Sequence, residues 1–300
     1  MTNTLLTDCY PSRDQISDRP YIARLDPVVY QDPDNQGFSG PLNIEQLSDF
    51  EEKGYLVCHD FLKPDALQAL RKNANDLERS VQHEDDRVVL EANGKGVRSI
   101  FEVHKLSPLI AQLCSSPSFA GVARQILGSK VYLHQTRLNF KPGYSGKQFY
   151  WHSDFETWHM EDGMPRMRAI SCVVCLTDNE IYNGPLMIIP YSHKLYIRCQ
   201  GETPENHYKQ SLVKQQYGVP RREALEMLTQ KWGIDTLTGP AGTVIFFDCN
   251  AMHGSNSNIT PAARHNLFFV FNSMENVLTD PFCGLAPRPH HIAARTFSPV

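Results

Sequence analysis

After Gly128 the chain breaks into short apolar runs: Val131 to Phe140, Arg168 to Thr177, Leu186 to Pro190, Thr243 to Phe247 and Asn266 to Phe271. Each is rich in Val, Ile, Phe and Leu and is bounded by Gly, Pro, Asn or Asp, which is the signature of β-strands between turns. Helices do not alternate with them, so a parallel βαβ sheet is excluded. Ahead of Gly128 the periodicity is helical. Asn43 can cap a helix with Gln46 at the capping-box position, Ile44, Leu47 and Phe50 form its stripe, and Gly54 ends it. Tyr55 to Val57 reads as a strand, and Pro64 then opens a helix along which Leu67, Leu70, Ala74, Leu77 and Val81 share one face. Pro117 to Leu127 is a further helix, closed by Gly128. Helices first and strands later predict an α+β fold: a double-stranded β-helix of jelly-roll or cupin-like type, buttressed by N-terminal helices.

The 300 residues are expected to form one domain with elaborations. Residues 1–40, rich in Pro, Asp and Tyr, read as an irregular arm covering a site or a dimer contact. The charged segment Gln82 to Ser99 ends in a solvent loop or hairpin tip at Asn93 to Gly96. Residues 191–239 read as an insertion with one helix, Arg221 to Lys231, of the kind that forms lids at barrel mouths. A net charge of −4 without a Lys/Arg block argues against a nucleic-acid or anionic-membrane partner. The first residues lack a basic stretch followed by an apolar one, and no apolar run reaches the roughly 18 residues of a membrane span, which points to the cytoplasm. The eight cysteines are scattered, and Cys172 and Cys175, though spaced C-x-x-C, lie in an apolar run that reads as a buried strand.

The chemistry concentrates between Phe149 and Pro165, where His152 and Asp154 stand two apart. In extended chain such a pair shares a face and can hold one ion together. His253, just after the run Thr243 to Phe247, is the best third ligand. Two histidines and a carboxylate make the facial triad of non-haem Fe(II) oxygenases, and the same set suits Zn(II) with an open position, as in a cupin-like hydrolase or isomerase. Arg264, at the start of a strand, offers a planar fork for a carboxylate, with Lys141 and Ser255 as further donors. That clamp is what an iron enzyme using 2-oxoglutarate requires, and a zinc hydrolase has no use for it. Trp151, His159, His193, His290 and His291 read as structural or solvent-exposed, with His159 expected on a strand; Glu156 reads either as support to the site or as solvent-facing.

The segment Phe149 to Pro165, with Arg166 and Arg168 after it, resembles the signature of ectoine hydroxylases, a branch of the phytanoyl-CoA dioxygenase-like Fe(II)/2-oxoglutarate oxygenases. The similarity extends through Gln135 to Gly143, Asn183 to Leu186, Tyr191 to His193 and His253 to Phe271. The resemblance implies Fe(II) on His152, Asp154 and His253, and 2-oxoglutarate on Lys141 and Arg264 with help from Ser255 and Asn139. It further implies an ectoine pocket of Gln135, Trp158, Phe247, Asn266 and Phe268, with Arg288 on the ectoine carboxylate, and a homodimer. The implied reaction takes ectoine, 2-oxoglutarate and O2 to 5-hydroxyectoine, succinate and CO2. Its neighbours are a related 2-oxoglutarate oxygenase acting on another small cyclic or amino-acid-like substrate, a halogenase, against which Asp154 argues, and a non-catalytic ectoine-binding protein.

Overall fold

The apolar runs pair into sheets in the computed structural model, which describes residues 8–13, 20–30, 40–91, 96–211 and 218–300. In chain order the strands are β1 (Tyr21–Ala23), β2 (Tyr55–Cys58), β3 (Val88–Leu90), β4 (Val97–Phe101), β5 (Val131–Lys141), β6 (Phe149–His152), β7 (Ala169–Cys175), β8 (Leu186–Ile188), β9 (Leu195–Ile197), β10 (Asp235–Leu237), β11 (Val244–Asp248), β12 (His253–Ser255) and β13 (Arg264–Ser273). The larger sheet has the order β2-β11-β7-β13-β5-β4-β3 and the smaller β10-β8-β12-β6. Pairing is antiparallel in both. This is the expected α+β double-stranded β-helix with helices against it.

Alternation along the strands sorts the residues into two layers. On β7, β11 and β13 the side chains of Ile170, Cys172, Val174, Val244, Phe246, Leu267, Phe269 and Phe271 face outward. They meet Phe50, Leu70, Ala74, Ile110 and Val122 from the helices, so the helices cover one face of the larger sheet. The intervening residues Val173, Cys175, Ile245, Phe247 and Phe268 face inward and meet Leu186, Ile188 and Leu237 of the smaller sheet. Both faces are therefore buried, which explains why these strands read as continuous apolar runs. Each large side chain so placed contributes roughly 1.5–3 kcal/mol. Cys172 and Cys175 are buried free thiols within β7.

Local signals set the helix ends. The Asn43–Gln46 capping box forms around the helix Ile44–Lys53, with Gly54 left-handed at its end (φ 84°). Pro64 opens the helix Pro64–Ser80, and Gly128 (φ 56°) closes Ala120–Leu127. The charged stretch before Ser99 holds β3 and β4, which form the hairpin, one of its two readings, on the edge of the larger sheet; residues 93–95 of its tip lie outside the described residues. Three expectations need correction. Ile44 is 87% exposed, so Leu47 and Phe50 carry that stripe. The arm is not wholly irregular: β1 pairs with β9, and Tyr10 is fully buried with its hydroxyl donating to Asp26 (2.7 Å). The segment 191–239 carries its helix at Arg222–Trp232, but its flanks supply β9 and β10, the latter bonded to β8. Among the described residues no helix is long and apolar enough to cross a membrane.

Candidate active site

His152 is the last residue of β6, and β12 pairs with β6 so that His253 lies directly opposite it, the rings 4.3 Å apart. The chain leaves β11 at Asp248, turns, and enters the smaller sheet at His253. His253 therefore does not end the apolar strand before it; it starts a strand in the facing sheet. Ser153 stays extended (φ −104°, ψ 129°) and Asp154 begins a helical turn, so a single extended step puts His152 and Asp154 on one side. His152 Nε2 is 3.6 Å from Asp154 Oδ1, and His253 Nε2 is 3.9 Å from Asp154 Oδ2.

The other ring nitrogens are occupied. His152 Nδ1 donates to the Tyr150 carbonyl (2.7 Å) and His253 Nδ1 to the Ala251 carbonyl (3.0 Å), which leaves both Nε2 lone pairs aimed at one point. Ser171 Oγ donates to Asp154 Oδ2 (3.1 Å). Burial, then His152, push His253 down to about 4 against the pull of Asp154, so its imidazole is neutral at pH 7, the form that binds a metal. Burial would raise the Asp154 carboxyl, but His253, His152 and Arg137 outweigh it and hold it well below the usual range. Two imidazoles and a carboxylate, with donor atoms all within 4.8 Å of one another, fit an ion bound at about 2.0–2.2 Å.

Beside this cluster, β5 and β13 lie in register: Arg264 opposite Lys141, Asn266 opposite Asn139, Phe268 opposite Arg137 and Val270 opposite Gln135. Since Leu138, Phe140, Leu267 and Phe269 face the helices, Gln135, Arg137, Asn139, Lys141, Arg264, Asn266 and Phe268 share the inner face. Lys141 is 2% exposed, and its Nζ donates to Ser255 Oγ (2.8 Å) and the Asn256 carbonyl (2.5 Å). Arg264 is 3% exposed and its Nε has no hydrogen-bond partner. Burial, then Arg264 and Arg98, push Lys141 down to about 5. Burial likewise lowers Arg264 to about 10, Cys175 opposing and Arg98 and Arg137 adding to the fall. Buried cations crowded together with too few acids lack an anion.

Asn266 is fully buried with both amide atoms unpartnered, whereas Asn139 Oδ1 accepts from Ser99 Oγ (2.5 Å) and Gln135 Nε2 donates to the Ile292 carbonyl (2.7 Å). An unsatisfied buried amide costs about 1–3 kcal/mol, and a polar ligand on this face would remove that cost. The Phe247 ring lies 4.8 Å from that of His253. Trp158 is 4% exposed and packs edge-on to His134 (5.1 Å). Its backbone is not extended: Asp154–Thr157 is helical and Trp158–Asp162 is a π-helix. Trp158 and Asp154 are four residues apart across this turn, the spacing at which helical residues share a face.

Arg288 pairs with Asp162, its Nε and Nη2 on the two carboxylate oxygens (2.7 and 2.6 Å). Arg137 escaped sequence reasoning. Its Nε is unpartnered and its guanidinium lies 4.7 Å over the Phe268 ring, on the face of Gln135 and Asn139. The signal was present in the alternation Gln135, Arg137, Asn139, Lys141. His159 is on the π-helix rather than a strand and is fully buried, bonded to the Met164 carbonyl and Asp8 and stacked on Phe282. His193 binds the Glu51 carbonyl and His290 binds Glu102, away from the cluster. Trp151 packs on Ile189, Ile197, Leu228 and Met252.

A sequence model of the phytanoyl-CoA dioxygenase family matches residues 50–266. An ectoine dioxygenase of Bordetella bronchiseptica is 52% identical over 291 residues, 96% of this chain and 92% of that one. A crystal structure of EctD from S. alaskensis with 2-oxoglutarate and 5-hydroxyectoine superposes with a TM-score of 0.84 at 46% identity, covering 96% of this chain and 95% of that one. The same protein with bound Fe gives 0.83 at 45% identity, with the same coverage. With relatives this similar over nearly the full length of both partners, the chain belongs to the phytanoyl-CoA dioxygenase family and, within it, to the ectoine dioxygenases.

Proposed function

We propose that this chain hydroxylates ectoine to 5-hydroxyectoine, consuming 2-oxoglutarate and O2 and releasing succinate and CO2. The observation that carries the reading is the buried Arg264, its Nε without a partner, on the inner face of the larger sheet, while the smaller sheet carries the two histidines of a two-histidine, one-carboxylate cluster. A zinc hydrolase would need the cluster alone. Bound Fe(II), with 2-oxoglutarate and O2, supplies the oxidising chemistry.

The protein's own side chains do the rest. His152, Asp154 and His253 would hold the ion. Lys141 and Arg264, with Ser255 and Asn139, would take the far carboxylate of 2-oxoglutarate in a dry pocket where charge-assisted hydrogen bonds are strong. Trp158, Phe247 and Phe268 would wall the compact amidinium of ectoine with aromatic faces, while Gln135 and Asn266 would meet its polar edge. Arg288, fixed by Asp162, would meet the ectoine carboxylate, and Arg137, its Nε without a partner, is a second candidate. The homodimer implied by the family resemblance and the cytoplasmic location expected from the sequence belong to this reading, and light scattering on the purified protein tests the first.

The deciding experiment is anaerobic reconstitution with Fe(II), then succinate measurement on air addition with and without ectoine. Strong ectoine dependence is expected; better coupling to another small molecule would overturn the substrate. Trp158→Ala should weaken ectoine binding by about 0.5–2 kcal/mol from the cation–π contribution, more with lost packing, and Trp158→Phe should recover part. Intact ectoine turnover in Trp158→Ala would remove Trp158 from the pocket.

Lys141 gives a pH test. With a pKa pushed down to about 5 it is uncharged at pH 7, and a carboxylate placed on it favours the charged form. 2-Oxoglutarate should therefore bind with proton uptake, its affinity strengthening as pH falls from neutrality toward 5. Calorimetry in two buffers of different ionisation enthalpy measures this, and equal heats would refute it.

A further inference from the structure

We propose that Arg13, in the N-terminal arm, is a positioning residue of the ectoine site: it bridges two buried glutamates across the π-helix and so sets the register in which Asp154 and Trp158 are presented. The inference rests on the function proposed above. Arg13 lies outside the family-matched stretch 50–266.

One short segment carries Asp154 and Trp158 toward the site and three acids, Glu156, Glu161 and Asp162, into the protein, all of them buried. In α-helical register residues five apart point in different directions, whereas the wider turn of a π-helix, with its i→i+5 bonding, brings them nearer one face. Glu156 and Glu161 are such a pair. Arg13 joins them: Nε and Nη2 bind Glu156 Oε1 and Oε2 (2.9 and 2.8 Å), and Nη1 binds Glu161 Oε1 (2.7 Å). Ser12 Oγ adds a third bond to Glu156 (2.7 Å). Without that guanidinium two buried like charges would repel, and the segment would shift to part them, displacing Trp158, which lies between the two glutamates, and Asp154, two residues before the first.

Three features hold Arg13 itself. Its backbone is left-handed (φ 59°), a conformation a non-glycine residue keeps only where its surroundings demand it. Its amide donates to the Cys199 carbonyl (3.0 Å) and its Nη1 to Thr203 Oγ1 (2.6 Å). Gly218, also left-handed, covers the pair so closely that a Cβ there would come within 2.8 Å of Arg13 Nη2 and 2.9 Å of Glu156 Oε2. Asp162 has its own partner in Arg288, and His207 Nδ1 donates to Glu161 (3.0 Å), so Glu156 depends on the arm.

The test uses the full chain. Arg13→Lys keeps the charge and loses the fork. Its ectoine KM, and its ectoine Kd by anaerobic calorimetry, should rise roughly tenfold to 100-fold, the scale on which small misplacements act. The 2-oxoglutarate KM should move less than about twofold, a change worth little free energy, and hydroxylated product per succinate should fall. Arg13→Gln alone should show the ectoine defect, and Arg13→Gln with Glu156→Gln, which removes the repulsion along with both charges, should keep a near-normal Tm and recover part of the ectoine affinity. Unchanged ectoine KM and coupling in Arg13→Lys and Arg13→Gln, with only Tm affected, would overturn the positioning role. Failure of the parent reading looks different: the wild-type protein would then not couple 2-oxoglutarate consumption to ectoine.

Discussion

Asp154→Ala is expected to lose iron binding and, with it, turnover. Only His152, Asp154 and His253 converge as donors among the described residues, and Asp154 supplies the only negative charge of the three. Loss of a partner that merely orients a ligand costs about 10–100-fold in metal affinity, so loss of a ligand itself should cost more. The variant should still fold. Among the described residues the Asp154 carboxylate accepts a hydrogen bond from Ser171 and otherwise faces the two histidines, and its removal leaves two imidazoles of which His253 is already neutral at pH 7. The measurement is anaerobic Fe(II) binding by competition with a chelator, together with the Fe(II)/2-oxoglutarate charge-transfer absorbance and Tm. Asp154→Asn separates charge from shape, because it retains an acceptor for Ser171. Substantial turnover by Asp154→Ala would refute the facial assignment, and a large fall in Tm would show Asp154 to be structural.

Arg264→Lys is expected to raise the 2-oxoglutarate KM by roughly tenfold to 150-fold, from the loss of a charge-assisted hydrogen bond worth about 1.5–3 kcal/mol, with the ectoine KM little changed. The upper end is favoured by the surroundings. Burial and the neighbouring Arg264 and Arg98 already push Lys141 down to about 5. A second lysine, buried directly across the β5–β13 pair from the first, would meet the same desolvation and shed its proton at pH 7. The substitution would thus remove the charge as well as the planar fork. Steady-state kinetics with each substrate varied in turn, and 2-oxoglutarate titration without ectoine, read the two effects apart. An unchanged 2-oxoglutarate KM would exclude Arg264 from the clamp.

Much of the architecture was legible because its signals are local. The Asn43–Gln46 box and Gly54 act within one helix end, and Pro64 and Gly128 likewise mark theirs. The five apolar runs after Gly128 became β5, β7, β8, β11 and β13 within a few residues of their expected ends, since burial on both faces leaves the same mark on a strand wherever it sits in the sheet. His152 and Asp154 were legible as a pair because one extended residue separates them.

What the residues alone left open depends on partners distant in sequence. His253 reads only as following the run that becomes β11, and the turn after Asp248 delivers it to the other sheet, where pairing with β6 sets it opposite His152. A helical turn beginning at Asp154, and not an extended chain, separates Trp158 from the carboxylate. Arg288 and Arg13 carry no local sign of their partners, because Asp162, Glu156 and Glu161 reach them only after the tail and the arm fold onto the π-helix. The chain by itself determined its strands, its caps and the chemistry of its inner faces, since φ/ψ preference and period-2 burial act over a few residues. The tertiary structure decided which cation meets which buried acid, because desolvation makes an unpaired charge costly only once the chain has closed around it.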